Sequence, residues 1–171
     1  MCGQALEAVP PIPWATLAQE RYEEAVHDYS QALALAPHHA KALYNRAVAH
    51  ERLGRHSAAL ADFSAVLDLD PYNPPAYANR AALLLHKLRQ PAAALTDAER
   101  ALLLEQEQER LGQGRGGAGG KGAASNAGGG SAATWHLCGE ALAALGRGGE
   151  ALAAFERAAA LDPGSTTFLR R

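Results

Sequence analysis

Apolar residues recur along this chain at spacings of three and four, which places them on one face of an α-helix. Short turns interrupt the pattern and divide it into pairs of helical segments. The segments that precede a turn are predicted at Ala42–Arg52, Ala76–Lys87 and Ala133–Ala144, and the turns at Leu53–His56, Leu88–Pro91 and Leu145–Gly148. The chain is therefore predicted to form a series of helix–turn–helix hairpins.

The second helix of each pair ends in a similar phrase. SQALALAP and SAVLDLDP end in Pro37 and Pro71, which are 34 residues apart, and ERAAALDP ends in Pro163. The corresponding stretch Glu99–Gln106 lacks the proline. Proline ends a helix because it has no backbone N–H to donate and its ring clashes with the preceding turn. Small and aromatic residues recur upstream of the phrases at Ala25 and Tyr29, Ala59 and Phe63, Ala94 and Ala98, and Ala151 and Phe155.

Composition supports an all-α fold. The 171 residues include 40 alanines and 24 leucines, which favour helix, but only ten isoleucines, valines and threonines, too few for a sheet. The formal net charge is −2 and the basic residues are scattered, so neither a nucleic-acid partner nor membrane insertion is expected. Two cysteines are no disulfide framework, which favours a cytoplasmic setting.

The period and the residues that recur with it resemble the tetratricopeptide repeat family. The resemblance covers about four units, from Trp14 to Pro163, apart from a glycine-rich insert. It implies a right-handed α-solenoid of antiparallel helical hairpins, in which each hairpin buries its apolar face against its neighbours. The positions that match the family's structural signature are Ala25, Tyr29, Pro37, Ala47, Gly54, Ala59, Phe63, Pro71, Ala81, Ala94, Trp135, Gly139, Ala151, Phe155 and Pro163.

The first unit departs from the family pattern. Pro10, Pro11 and Pro13 stand where most of its first helix should lie, so helix is expected to start near Trp14. The expected organisation is a mobile N-terminal segment at 1–13, a partial first repeat at 14–37, repeats at 38–73, 74–111 and 132–163, a glycine-rich linker at 112–131 and a tail at 164–171. The tail is too short for a capping helix, so self-association through uncapped ends is a further expectation.

Ten of the 17 glycines lie between Gly112 and Gly130. A flexible coil of this length spans about 24 Å, enough for the fourth unit to stack on the third. The expected character of this stretch is a disordered surface insertion that leaves the array intact. A glycine-rich segment that binds nucleic acid needs many arginines and aromatic residues, whereas Arg115 and Lys121 are the basic residues here.

The resemblance implies that the first helices line a concave groove, in which a partner peptide or helix binds. Asn45 and Asn79 are one repeat apart in this groove, and an asparagine amide can both donate to and accept from an extended peptide backbone. The alternative is a solvated or inter-repeat polar pair. The groove positions carried over to this chain are Lys41, Tyr44, Asn45, Val48, Arg52, Asn79, Ala82, His86, His136 and Glu140.

Arg46 and Arg80 occupy equivalent positions in a repeated Asn-Arg-Ala. A guanidinium can bind a carboxylate through two parallel hydrogen bonds, so these arginines are candidates for binding a partner's carboxylate. The other hypothesis, which we favour, is that they brace the next hairpin.

One subfamily of these repeats grips the C-terminal carboxylate of heat-shock chaperones with lysines, asparagines and an arginine. Asn45 matches the middle asparagine of that clamp. The preceding unit offers Pro10 and Trp14, and the following unit offers Pro75 and Asn79, in place of the other clamp residues. The clamp is therefore expected to be absent.

No residues suggest catalysis, a cofactor or a metal site. His38 and His39 are expected to cap a helix or face water, Cys138 to be a buried structural thiol, and Glu105–Arg110 to be a solvated helix extension. The chain is thus predicted to be a non-enzymatic protein–protein interaction adaptor. The alternatives are a chaperone co-factor, or a structural fragment of a larger scaffold, for example in ciliary or trafficking complexes.

Overall fold

The computed structural model describes residues 13–112 and 130–162, with side chains from 19 to 110 and from 132 to 162. These ranges contain helices and no strand, which confirms the all-α fold class. The helices are α1 (Pro13–Leu35), α2 (Ala40–Arg52), α3 (His56–Leu69), α4 (Pro74–His86), α5 (Pro91–Gly112), α6 (Gly130–Ala144) and α7 (Gly148–Leu161).

Three pairs of helices form hairpins: α2 with α3, α4 with α5, and α6 with α7. Each hairpin also packs against the next one, through α3 and α4 and through α5 and α6. α1 packs against α2 in the way that α3 packs against α4. α1 is therefore the second helix of the first unit, and the described residues include no first helix for it.

Alanines lie where the paired helices cross. Ala47 and Ala59 are completely buried between α2 and α3, as are Ala81 and Ala94 between α4 and α5. A methyl group keeps the two helix backbones close, and larger side chains then fill the space around the crossing. The largest side chains that are fully buried are Phe63, Val66 and Leu83.

The hairpin of α6 and α7 uses glycine in place of alanine. A Cβ atom added to Gly139 would lie 2.6 Å from Cε1 of Phe155, so the ring of Phe155 rests directly on the backbone of α6. This pair explains why Gly139 and Phe155 occur together in the fourth unit.

The turns between paired helices contain one residue in the left-handed region. Gly54 and Gly146 have φ angles of 72° and 76° in two of these turns. In the third turn Arg89 takes that place, with a φ angle of 56°. Residues with a Cβ atom are strained in this conformation, whereas glycine is not.

Among the described residues, side chains cap the starts of α2 and α4. Nδ1 of His39 accepts a hydrogen bond from the backbone N–H of Ala42 at 3.0 Å. Oδ1 of Asn73 accepts one from Ala76 at 3.1 Å, ahead of Pro74 as the first residue of α4. Each cap accepts a hydrogen bond from a backbone N–H of the first turn, which has no acceptor within the helix. Pro37 and Pro71 follow the ends of α1 and α3, as their helix-ending role requires.

The expectation of a solvated extension at Glu105–Arg110 is wrong for Glu105. Its Oε1 accepts a hydrogen bond from the buried hydroxyl of Thr134 in α6 at 3.1 Å, so the extension of α5 contacts the fourth unit. Residues 106–110 are exposed, as expected. Gly112 and Gly130, which the sequence assigns to the linker, are the terminal residues of α5 and α6.

Several predicted features lie outside the described residues: the N-terminal segment up to residue 12, the insert between 113 and 129, Pro163 and the tail. Within the described ranges, no helix has the length and apolar character that crossing a membrane requires.

Candidate functional site

The first helices α2, α4 and α6 present one common face, which we call the inner face. α4 and α6 contact each other directly along it. On α2 its residues are spaced by three and four, so their side chains leave the helix on the same side. The inner face is defined by the predicted groove residues Lys41, Tyr44, Asn45, Val48 and Arg52 on α2, Asn79, Ala82 and His86 on α4, and His136 and Glu140 on α6.

These side chains differ in how far they reach solvent. Lys41, Arg52 and His86 are exposed, and the other inner-face residues are half-buried. Val48 and Ala82 pack against the buried cores of the second and third hairpins. They are the apolar members of the face, and its other residues have charged, aromatic or amide side chains.

Asn79 is tied to the preceding unit. Its Nδ2 donates a hydrogen bond to the hydroxyl of Tyr44 at 2.7 Å, and the ring of Tyr44 meets Phe63 edge to face at 5.8 Å. Burial raises the pKa of the Tyr44 phenol, so the hydroxyl stays protonated. Among the described residues, the side chain of Asn45 has no hydrogen-bond partner. The two asparagines are thus not equivalent, since Asn79 is an inter-repeat contact and Asn45 is open.

The inner face of α6 carries a carboxylate between two imidazoles. Oε2 of Glu140 lies 3.5 Å from Nε2 of His86 on α4 and 3.9 Å from Nδ1 of His136. The His136 ring also contacts Phe155, with 5.2 Å between ring centroids. No group of three or more His, Cys, Asp or Glu side chains in the described ranges is arranged to hold a metal ion. An open depression of about 430 Å³ adjoins this cluster and is lined by Leu85, His86, Arg89, Pro91, Glu140 and Ala144.

Arg46 binds a carboxylate, but that carboxylate belongs to the chain itself. Its Nε and Nη2 each donate to one oxygen of Asp62 on α3 at 2.7 Å, and its Nη1 donates to the hydroxyl of Ser30 on α1 at 3.3 Å. These hydrogen bonds to Asp62 raise the pKa of Arg46. We call this set of an arginine, an aspartate and a serine a clasp, because it joins three helices.

The same clasp recurs one unit later. Arg80 binds Asp97 on α5 through Nε at 2.7 Å and Nη2 at 2.8 Å, and it donates to the hydroxyl of Ser64 on α3 at 3.1 Å. Its guanidinium carbon also lies 5.7 Å from the centroid of the Tyr77 ring. Both arginines brace their own hairpin against the preceding helix, and not against the next hairpin. The four partner residues are absent from the sequence-based predictions, although Asp28, Asp62 and Asp97 recur at the same place in their units.

The described residues of the fourth unit contain no clasp. Cys138 stands where Arg46 and Arg80 stand, and Ala154 replaces the aspartate. The Cys138 thiol is buried, and desolvation, with the nearby charges of Glu99 and Glu105, raises its pKa to about 12. Such a thiol is protonated and unreactive at neutral pH, which agrees with the structural role expected for it.

Comparison with solved structures identifies similar folds. A crystal structure of MamA superimposes with a TM-score of 0.70 at 16% identity, covering 94% of this chain and 80% of that chain. MamA from Desulfovibrio magneticus RS-1 gives 0.69 at 21% identity, covering 92% and 80%. The first TPR of Spaghetti (RPAP3), bound to the HSP90 peptide SRMEEVD, gives 0.60 at 22% identity, covering 76% and 84%. At these identities the likeness concerns the fold.

Comparison with family models gives two matches, which together cover more than half of the chain. Residues 14–74 match one tetratricopeptide repeat model, and residues 132–165 match another. Among the curated proteins, none matches this sequence. Tetratricopeptide repeats are scaffolds for protein–protein interaction and are generally not enzymes, and the two matches agree with the repeat period, the hairpins and the fold. The chain belongs to the tetratricopeptide repeat family.

Proposed function

We propose that this protein is a non-enzymatic adaptor that binds an extended segment of a partner protein along the inner face. The observation that carries the proposal is the side chain of Asn45. It is half-buried at the middle of α2, and among the described residues nothing uses its amide. An amide in such a position can hold one N–H and one C=O of a peptide backbone at once.

The surroundings of Asn45 suit a peptide. Lys41 and Arg52 are exposed on the same face of α2 and can meet acidic side chains, while Val48 and Ala82 offer an apolar floor. The hydrogen bond from Asn79 to Tyr44 joins α4 to α2 on this face. A rigid floor with few open polar groups lowers the cost of ordering the bound segment.

The test uses peptides that are selected from a display library for binding to the full chain. Their affinity is measured by fluorescence anisotropy for the native protein and for Asn45→Ala. We expect the substitution to weaken binding at least tenfold, because the backbone groups held by the amide lose their partner. Gln106→Ala, which removes an exposed side-chain amide from α5, is the matched control and should bind as the native protein does. If the selected peptides bind Asn45→Ala as tightly, the inner face is not the binding site.

Asn79→Ala serves a second purpose. It removes the hydrogen bond to Tyr44, so it should lower both peptide affinity and stability, whereas Asn45→Ala should lower affinity alone. Thermal unfolding followed by circular dichroism separates the two effects.

A chaperone co-factor is the alternative function, and the RPAP3 domain bound to SRMEEVD supplies the probe. This chain has Pro75 and Asn79 where a carboxylate clamp needs basic residues. We therefore expect no binding of SRMEEVD that depends on its C-terminal carboxylate. Tighter binding of the free acid than of the C-terminal amide would favour the chaperone role instead.

A further inference from the structure

The second helices of the units carry one recurrent face, and in α1 this face is uncovered. In α3 it consists of Ala59, Asp62 and Phe63, and in α5 of Ala94, Asp97 and Ala98, all of them buried. The two aspartates are bound by an arginine from the first helix of the same unit. The equivalent residues of α1 are Ala25, Asp28, Tyr29 and, one turn later, Ala32.

The recurrent face is buried in α3 and α5 but partly exposed in α1. Ala59, Phe63, Ala94 and Ala98 are 0% exposed, and Asp62 and Asp97 are each 7% exposed. In α1, Ala25 and Tyr29 are only half-buried, and Asp28 and Ala32 are exposed. Nothing among the described residues covers this face.

α1 is nevertheless positioned as a proper second helix. Ser30 accepts a hydrogen bond from Arg46 at 3.3 Å, just as Ser64 accepts one from Arg80 at 3.1 Å. α1 therefore sits on α2 in the register in which α3 sits on α4. In the described part of the chain, the side of α1 that would face its own first helix is open.

Asp28 indicates the chemistry of what fits there. Asp62 and Asp97 each receive two hydrogen bonds from an arginine of the first helix, and the residue after that arginine is a buried alanine, Ala47 or Ala81. Asp28 has no ion-pair partner in the described part of the chain. Glu24 and Glu20 are exposed four and eight residues before it, and Arg21 is exposed seven residues before it on the same side of the helix, so carboxylates outnumber basic groups on this side of α1.

We propose that α1 receives an α-helix from another protein, which carries an arginine followed by alanine or glycine. The arginine binds Asp28 through two hydrogen bonds, and the small residue packs against Ala25 and Tyr29. The incoming helix thereby completes the first hairpin and forms the clasp with Asp28 that Arg46 forms with Asp62. This surface is separate from the inner face, so it adds a second partner-binding site to the proposed function.

The chain supplies its own probe, because α2 already has the required sequence. A fluorescent peptide with the sequence of residues 40–53 is held helical by a staple joining positions 41 and 45, which lie away from the packed side. Binding to the full chain is measured by anisotropy, with the native protein, Asp28→Asn and the control Glu107→Gln. The peptide is also made with Arg46→Gln.

We expect saturable binding of the native peptide to the native protein and to Glu107→Gln. Asp28→Asn in the protein and Arg46→Gln in the peptide should each weaken it at least tenfold, and both together should weaken it no further than either alone. Because Asp28 is exposed, its substitution should leave the thermal unfolding curve unchanged, and Asn45→Ala should leave peptide binding unchanged.

Three results would overturn the proposal. One is equal binding by Asp28→Asn. Another is the absence of saturable binding of the peptide to the native protein. The third is a dimer of the full chain in light scattering that Asp28→Asn converts to a monomer, since that result assigns the face to a second copy. Loss of groove binding by Asn45→Ala with this peptide binding intact would separate the two sites.

Discussion

The first two joints of this array share a polar contact that the third lacks, although their helices pack in the same order. A joint is a first helix together with the two second helices that pack against it: α2 with α1 and α3, α4 with α3 and α5, and α6 with α5 and α7. At the first two joints, Arg46 and Arg80 each tie three helices together through an aspartate and a serine. At the third joint Cys138 occupies the arginine's position, and its thiol is buried among apolar neighbours. A helical repeat can thus keep its packing while the polar content of a joint changes.

At the third joint, close packing and a different hydrogen bond take the place of the ion pair. Gly139 lets the ring of Phe155 lie against α6, and the extended α5 reaches Thr134 through Glu105. An ion pair in the interior must recover the cost of removing its charges from water, whereas close apolar packing has no such cost. Removal of the arginine should therefore destabilise the first two joints, whereas introduction of an arginine should destabilise the third.

Loss of a clasp should have the largest effect. Arg80→Ala leaves Asp97 buried without its partner, and we expect a loss of about 3 kcal/mol in the free energy of unfolding. Urea unfolding followed by circular dichroism measures it. The control is Arg55→Ala, which breaks the exposed pair with Glu23 and should cost no more than about 0.5 kcal/mol. Equal losses in both variants would mean that the clasp contributes no more than a surface ion pair.

Placing an arginine in the third joint tests the comparison from the other side. Cys138→Arg should cost about 2 kcal/mol, because a long charged side chain must enter the space of a buried thiol beside Ala154, where the other units have the aspartate that binds the arginine at both oxygens. The charges of Glu99 and Glu105 nearby offset part of the cost of burying the guanidinium. Adding Ala154→Asp should recover about 1 kcal/mol of this loss by restoring the pair. Urea unfolding of the two single variants and the double variant gives the coupling. Strictly additive losses would show that the third joint does not share the geometry of the first two.

The packing of the third joint is tested by Gly139→Ala. The added Cβ would lie 2.6 Å from Phe155, so the ring must move, and we expect a loss of about 1–2 kcal/mol. The variant should also expose the Cys138 thiol, which raises its rate of alkylation, read by mass spectrometry of the Cys138 peptide. Gly149→Ala is the control, because a Cβ atom there meets open space. Slow alkylation in both variants would contradict the close contact.

The smallest effect is expected at the turn of the third unit. Arg89 has the φ angle that Gly54 and Gly146 have in the other turns, so Arg89→Gly should relieve strain and raise the free energy of unfolding by about 0.5 kcal/mol. Gly146→Ala should lower it by about 1 kcal/mol for the same reason. Thermal unfolding measures both. A loss of stability in Arg89→Gly would show that the arginine side chain makes a contact worth more than the strain.

The repeat period predicts which residues lie on the inner face, but it does not predict the hydrogen-bond partners of their side chains. Periodicity places Asn45 and Asn79 at equivalent positions, but their partners depend on what stands beside them in space. Tyr44 reaches Asn79 because it precedes Asn45 by one residue and lies toward the next unit. Whether the face binds a peptide remains our proposal.

The sequence by itself determined the hairpins, the all-α class and the family, because helix propensity, spacing and proline stops are local properties of the chain. Gly139 and Phe155 were also identified from the sequence, because they belong to the repeated signature. Only the tertiary structure decided where Arg46 and Arg80 point, since their carboxylates lie 16 and 17 residues away on another helix. It also showed that Asp28 lacks such a partner among the described residues, because burial depends on the surrounding helices.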